Sequence, residues 1–163
     1  MAFRFLPASA TPDASRLVAA RGLRAIGDGF VSILLPVYLL ELGLGAFEVG
    51  VVTAATLFGS AILTLAVGAF AASRARRSLL LFACALMVAT GLGFAGFATF
   101  WPLLVVAFLG TLNPSSGDVT MFLPLEHTLL TDTVPDADRT ALFARYSLVG
   151  AMLAAAGTLL AAL

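Results

Sequence analysis

The sequence predicts an all-α membrane protein that folds as a polytopic bundle of five transmembrane helices. Of the 163 residues, 61% are hydrophobic and only 11% are charged, whereas about a quarter of the residues in a soluble domain are charged. The mean hydropathy is +1.06. This composition excludes a disordered chain, a nucleic-acid-binding protein and an ordinary cytosolic enzyme. The formal net charge of zero indicates no strongly charged partner, and the lipid bilayer is the partner that the composition predicts.

Long apolar runs, separated by polar or charged breaks, mark the predicted spans. A transmembrane helix needs roughly 20 mostly apolar residues. Residues 1–21 contain prolines and charges without an uninterrupted apolar core, which predicts a cytoplasmic N-terminal segment and no signal peptide. A break is expected at Thr99–Pro102, where Trp and Pro are typical of a helix start at the membrane interface. The five spans are expected in residues 22–163, at about 22–42, 49–72, 79–98, 102–130 and 140–163.

The distribution of arginine predicts the orientation. The chain has nine Arg residues and no Lys. All nine lie in the N-terminal segment, the 73–78 and 134–139 loops, or the helix ends beside them, which five alternating spans place on one side of the membrane. Cytoplasmic loops are enriched in Arg and Lys. The N-terminus is therefore predicted to be cytoplasmic in a multi-pass protein of the plasma membrane, of the bacterial inner-membrane type.

Small residues recur at four-residue spacing in two spans. Gly50 with Ala54, and Gly150 with Ala154, are the clearest pairs. This spacing lets helix backbones approach closely in lipid, so both pairs are expected at helix–helix contacts.

The fourth span carries the polar residues that lipid tolerates least. Asn113, Ser115, Ser116 and Asp118 surround a Pro and a Gly that should break the helix at membrane depth. Such breaks occur where the backbone faces protein or water, and transporters often bind solutes or ions there. We expect these four residues on a solute or proton path. The alternative is that the hydroxyl and amide groups only satisfy freed carbonyls, which does not account for Asp118.

Three further ionisable residues are candidates for the same path, each with a structural alternative. Asp28, two turns inside the first span, is either functional or a helix-entry carboxylate paired with Arg24. Glu126 and His127 either extend a proton-conducting line along Ser115, Asp118 and Phe122, or lie at the inner interface. In that second case they would pair with Arg139 or Arg145.

No sequence motif of enzyme catalysis is present. The chain has no HExxH, no phosphate-binding glycine loop and no GxSxG. Its one cysteine, Cys84, lies within an apolar run and is interpreted as a buried small hydrophobe. We therefore expect no enzyme activity, no metal site and no cofactor.

Two loops resemble those of the major facilitator superfamily of transporters. The family motif G-x-L-A-D-R-x-G-R-R follows its second span, and here Gly68, Ala71, Arg76 and Arg77 occupy matching positions. After the fourth span, a second loop is similar to the family pattern D-x-x-P-x-x-x-R.
The matching residues of this second loop are Asp132, Pro135 and Arg139.

The resemblance implies a secondary active transporter that moves a small solute by alternating access, with proton coupling as one option. Members of the family have twelve helices in two six-helix halves, so the chain would supply five helices of the N-terminal six-helix domain. It is expected to be a fragment whose partner is the missing remainder of its own chain. The alternative is a non-transporting membrane scaffold or assembly module built on the same bundle, and a membrane enzyme is the remotest interpretation.

The predicted orientation can be tested by cysteine labelling of intact cells. In a Cys84→Ala background, Ala46→Cys and Thr99→Cys should react with a membrane-impermeant maleimide from outside. Ala137→Cys should react only after the cells are permeabilised, because the arginine-rich loops are retained in the cytoplasm. The reverse pattern would refute the assignment of the spans.

Overall fold

The computed structural model describes residues 6–7, 9–70, 76–111 and 122–163, and every structural statement below concerns these residues. Within them the secondary structure is entirely helical, apart from turns and loops. The helices are α1 (Pro12–Glu41), α2 (Ala46–Phe70), α3 (Arg76–Gly96), α4 (Phe100–Leu109), α5 (Phe122–Thr131) and α6 (Asp136–Ala161). The predicted fold class, an all-α membrane helical bundle, is confirmed.

Four of these helices, α1, α2, α3 and α6, are long and apolar enough to cross a membrane. Helix α4 is apolar but has only 10 residues. Many large apolar side chains on the long helices are exposed, for example Leu65 at 74%, Leu92 at 69% and Leu159 at 69%. Contiguous exposed apolar surface is unusual on a soluble monomer, and these faces suit contact with the bilayer. Cys84 of α3 is also exposed, so its interpretation as a buried hydrophobe is wrong.

Helix α1 begins ten residues before the start expected for the first span. Pro12 occupies its first position, where the missing N–H costs nothing, and Asp13 lies in the first turn, where a carboxylate complements the helix dipole. The helix has 30 residues, or about 45 Å at 1.5 Å per residue, against a hydrocarbon core of about 30 Å. Hydropathy locates the start of the apolar part of a helix, and α1 starts before its apolar part, at Pro12.

The turn between α1 and α2 is specified by local sequence. Gly43 has a φ of +86°, which glycine adopts at little cost. The N–H groups of Gly43 and Leu44 donate to the carbonyls of Leu40 and Leu39, a Schellman arrangement that ends α1. The Glu48 carboxylate then accepts a hydrogen bond of 2.7 Å from the Gly45 N–H, which caps the start of α2.

The chain divides into two compact units. Among the described residues, those up to residue 30 and those from 126 to 163 form unit one, and those between 31 and 125 form unit two. In unit two, α4 packs against α2 and α3, around a core that includes Leu39, Val52 and Leu103. A Cβ added to Gly59 of α2 would overlap the carbonyl of Phe108 of α4. These two helices therefore touch backbone to backbone.

In unit one, α1 and α6 meet at a similar contact. A Cβ on Gly29 would overlap the carbonyl of Ala154, and a Cβ on Gly157 would overlap the carbonyl of Ile26. Ala154 thus lies at a helix contact, as its spacing from Gly150 predicts. Gly50 does not, because nothing lies within 4 Å of a Cβ built on it.

The contact between α2 and α4 can be tested with matched glycine substitutions. Gly59→Ala should destabilise the protein by about 1–3 kcal/mol, because the new methyl group forces the backbones apart. Gly50→Ala adds the same methyl group in open space and should be neutral or slightly stabilising, since Ala favours helix. Thermal unfolding in detergent measures both, and equal stability of the two variants would contradict the close contact.

Candidate functional site: a buried charge cluster in unit one

A buried ion pair joins α1 to α5. The Arg24 guanidinium donates through Nη1 to Oε1 of Glu126 at 2.6 Å and through Nη2 to Oε2 at 2.9 Å. The side chains are only 9% and 3% exposed. Two parallel charge-assisted bonds are the strongest form of this interaction. They offset part of the cost of removing both charges from water.

Tyr146 of α6 completes the contact. Its side chain is among the largest fully buried ones, with the residue 1% exposed, and its hydroxyl donates to Oε2 of Glu126. The carboxylate therefore accepts bonds on both oxygens, from donors on two different helices. We call these three residues, Arg24, Glu126 and Tyr146, the charge cluster. It connects α1, α5 and α6 within unit one.

Aromatic and cationic side chains surround Tyr146. The Arg21 guanidinium lies 5.7 Å from the centroid of the Tyr146 ring, a cation–π distance. A Cβ on Gly150 would come within 2.7 Å of Arg21 Nε, so the glycine leaves space for this side chain. The His127 ring meets Phe143 and Tyr146 edge to face, at centroid distances of 4.9 and 5.6 Å. His127 thus lies beside the cluster.

Asp28, one helical turn after Arg24, is half-buried. Arg24, Arg21 and Glu126 all lie within electrostatic range of its carboxylate. Arg24 directs both Nη atoms to Glu126 and acts on Asp28 through its charge. The site therefore contains two arginines and two carboxylates, whose formal charges balance.

The structure assigns Glu126 a partner that sequence reasoning did not expect. One interpretation paired Glu126 with Arg139 or Arg145 on the loop and helix that follow. Arg139 instead bonds Asp136, one turn away on α6, at 2.9 Å, and the Thr131 carbonyl at 3.3 Å. The partner of Glu126 is Arg24, about a hundred residues earlier in the chain.

The structure describes only some of the other predicted site residues. Asn113, Ser115, Ser116, Asp118 and Ala71 lie outside the described residues. The expected line along the fourth span stays a prediction.
Its described members, Phe122 and Glu126, are one turn apart on α5, and both are buried.

Most of the matching residues of the two loop motifs lie within the described part of the chain. Gly68 is in α2 with open space around its Cα, and Arg76 and Arg77 are the first residues of α3. Asp132 is in the turn after α5, and Pro135 immediately precedes α6. These positions place both motifs at helix ends.

Sequence reasoning did not place Arg21 or Tyr146 at this site, and it named Gly150 only as a small residue at a helix contact. The arginine distribution places Arg21 and Arg24 at the flank of the first span, and the partner considered there for Arg24 is Asp28, so a partner on α5 is not expected. A signal was available for Tyr146, since it is one of only two tyrosines in the chain and lies in a mostly apolar span. Within the described residues, no group of three or more His, Cys, Asp or Glu side chains could hold a metal ion.

Comparison with known proteins adds one relative. The chain is 30% identical over 151 residues to an uncharacterized membrane protein of Saccharomyces cerevisiae. The match covers 93% of this chain and 34% of the yeast protein, so the chain spans about a third of that relative's length. Together with the four membrane-length helices, this match decides the class. The chain is a multi-pass membrane protein. No family model matches it, and no solved structure matches it.

The cost of breaking the buried pair can be compared with that of an exposed pair on the same helix. Arg24→Gln leaves Glu126 charged and buried, and should cost about 3–5 kcal/mol of stability. Arg16→Gln removes the exposed pair with Asp13, whose side chains are 78% and 69% exposed, and should cost no more than about 1 kcal/mol.

The double variant Arg24→Gln/Glu126→Gln should recover much of the loss, because no unpaired charge stays buried. Unfolding of the purified protein in detergent measures all three variants. Equal losses for Arg24→Gln and Arg16→Gln would show that the Arg24–Glu126 pair is not buried in the folded protein.

Proposed function

We propose that the protein is a secondary active transporter of a small solute, and that residues 1–163 form part of the N-terminal domain of a transporter of the major facilitator type. The observation that carries the proposal is the charge cluster. Charged side chains in membrane-spanning segments are costly, and they typically mark solute or ion pathways. Here an arginine, a carboxylate and a tyrosine from three helices converge inside one unit.

The chemistry of the cluster suits coupling between a proton and a conformational change. The Glu126 side chain accepts three hydrogen bonds, two from Arg24 and one from Tyr146. A proton on Glu126 removes its charge and with it most of the attraction to the guanidinium. A solute anion or water can then take the place of Glu126 beside Arg24, whose charge also acts on Asp28. In this proposal α1 and α5 separate or rejoin according to the protonation of one carboxylate.

Two further observations support the family assignment. The described residues of the two loop motifs lie at or near helix ends, where the family's motifs are expected. The yeast relative is about three times as long as the matched region, which is compatible with a protein whose solute site needs more helices than this chain contains. The proposed location is the plasma membrane, of the bacterial inner-membrane type, with a cytoplasmic N-terminus.

The proposal is tested on the full-length protein. A panel of small solutes is first screened for thermal stabilisation of the purified protein, because a ligand that binds the folded state raises its stability. Each solute that stabilises the protein is then tested for uptake into proteoliposomes under an imposed pH gradient. We expect at least one solute to be taken up, and Glu126→Gln to abolish the uptake or uncouple it from the gradient.

The matched control is Asp13→Asn, which removes an exposed carboxylate on the same unit and should leave uptake unchanged. Asp118→Asn is expected to behave like Glu126→Gln. Each variant must insert into the membrane and purify as a single species for the comparison to count. Uptake by Glu126→Gln at the wild-type rate with unchanged pH dependence would assign the cluster a structural role. A full-length protein that moves no solute would favour the scaffold alternative.

A further inference from the structure

Unit one contains a cleft of about 610 Å³ between the N-terminal segment, α1 and α6. Leu6 and Pro7 contribute one wall, and α1 and α6 contribute the others. The volume lies within the usual range of small-molecule sites, roughly 300–1,000 Å³. The charge cluster does not line it.

The polarity of the cleft changes along its length. Thr11 and Ser15 line it at the start of α1. One to three turns further on, its lining is apolar and includes Val18, Gly22 and, from α6, Leu153. Thr11 and Gly22 are separated by about 16 Å of helix. The hydroxyl groups of the lining are therefore confined to one end of the cleft, and the rest of the lining is apolar.

The outer wall of the cleft is held in place by hydrogen bonds. The Ser9 hydroxyl donates to the Asp138 carboxylate, and the Thr11 N–H donates to the Thr133 carbonyl at 3.1 Å. These bonds attach the N-terminal segment to the turn before α6 and to the first turn of α6. The cleft is thus bounded on one side by the N-terminal segment, which these hydrogen bonds hold in place, and on the other side by helices α1 and α6.

The residues that flank the apolar end of the cleft in the sequence include exposed apolar side chains. Leu23, next to Gly22, is 75% exposed. Leu148 and Met152, which neighbour the cleft residues Val149 and Leu153, are 51% and 64% exposed. In a membrane protein such side chains contact acyl chains. Water gains few hydrogen bonds in an apolar recess, so hydrocarbon is the favoured occupant.

A cation lies beside the polar end. Arg16 follows the cleft residue Ser15, is 78% exposed, and bonds Asp13 at 2.8 Å. An exposed arginine near a membrane surface attracts anionic lipid phosphate. We propose that this cleft binds one acyl chain of a membrane phospholipid, with the headgroup at Thr11 and Ser15 beside Arg16. The tail runs along the cleft as far as the contact between Gly22 of α1 and Leu153 of α6.

The experiment uses the full-length protein in vesicles that contain phosphatidylglycerol with a photoreactive diazirine near the end of one acyl chain. After irradiation and proteolysis, mass spectrometry locates the lipid adducts. We expect adducts on the peptides that carry residues 18–22 and 149–153, several-fold above those around Leu92. That residue is 69% exposed on α3 and serves as the reference for ordinary surrounding lipid.

Substitutions that fill the cleft, compared with a control outside it, distinguish a specific lipid site from general contact with surrounding lipid. Ala19→Trp places an indole in the cleft and should reduce these adducts several-fold, whereas Ala20→Trp, exposed but outside the lining, should not. Ala10→Trp fills the cleft from the N-terminal segment, so the test does not depend on α1 tolerating a bulky residue. It should reduce the adducts in the same way.

Two outcomes would overturn the proposal. Adducts spread evenly over exposed apolar residues, and unchanged by Ala19→Trp and Ala10→Trp, would show surrounding lipid only. An Ala19→Cys variant in a Cys84→Ala background that forms a disulfide-linked dimer in the membrane would show that a second copy of the chain covers the cleft. Neither outcome bears on the proposed transport, which concerns the charge cluster.

Discussion

The bidentate pair between Arg24 and Glu126 is the constraint on which the arrangement of unit one depends. Neither charge can be buried alone, because the loss of hydration costs several kcal/mol per ion and only a well-aligned partner offsets it. Bidentate geometry fixes distance and also orientation. Helices α1 and α5 must therefore present these residues to each other, and the bond from Tyr146 imposes the same requirement on α6. Glycines at the contact between α1 and α6 allow the approach that this requires.

Unit two is held together differently. The buried Thr56 hydroxyl bonds a carbonyl of its own helix at 2.7 Å, which satisfies it without specifying a neighbouring helix. The described hydrogen bonds between elements of this unit are uncharged, from the Tyr38 hydroxyl to the Phe94 carbonyl at 2.9 Å and from the Thr111 N–H to the Thr90 hydroxyl at 3.4 Å. Steric fit adds specificity, as at Gly59 against Phe108 and at Gly93 against Val106. Packing of this kind favours one arrangement of helices, whereas a charge pair can be switched by adding a proton or a competing ion.

These two kinds of interaction explain what the sequence could predict. Composition predicts the fold class because only apolar helices satisfy their backbone in lipid, and the turn at Gly43 and Glu48 is local chemistry that a short segment specifies. The partner of Glu126 is not local. Arg24 and Arg139 are equally plausible until the helices are placed, and the rule that assigns arginines to the cytoplasmic side favours reading Arg24 as a flanking charge. Hydropathy cannot distinguish a charge that faces water from one that faces a carboxylate.

The same pair sets the condition that any transport mechanism must meet. If α1 and α5 move apart during a cycle, the Arg24–Glu126 pair is broken, and breaking such a buried pair costs about 3–5 kcal/mol when nothing replaces it. That cost is too large to leave uncompensated in a repeated cycle, so something must take the place of one partner. A proton can neutralise Glu126, or the anionic group of a solute can bind Arg24. Coupling between ligand and conformation then follows from charge balance, because the ligand that supplies the missing charge is the one that permits the movement.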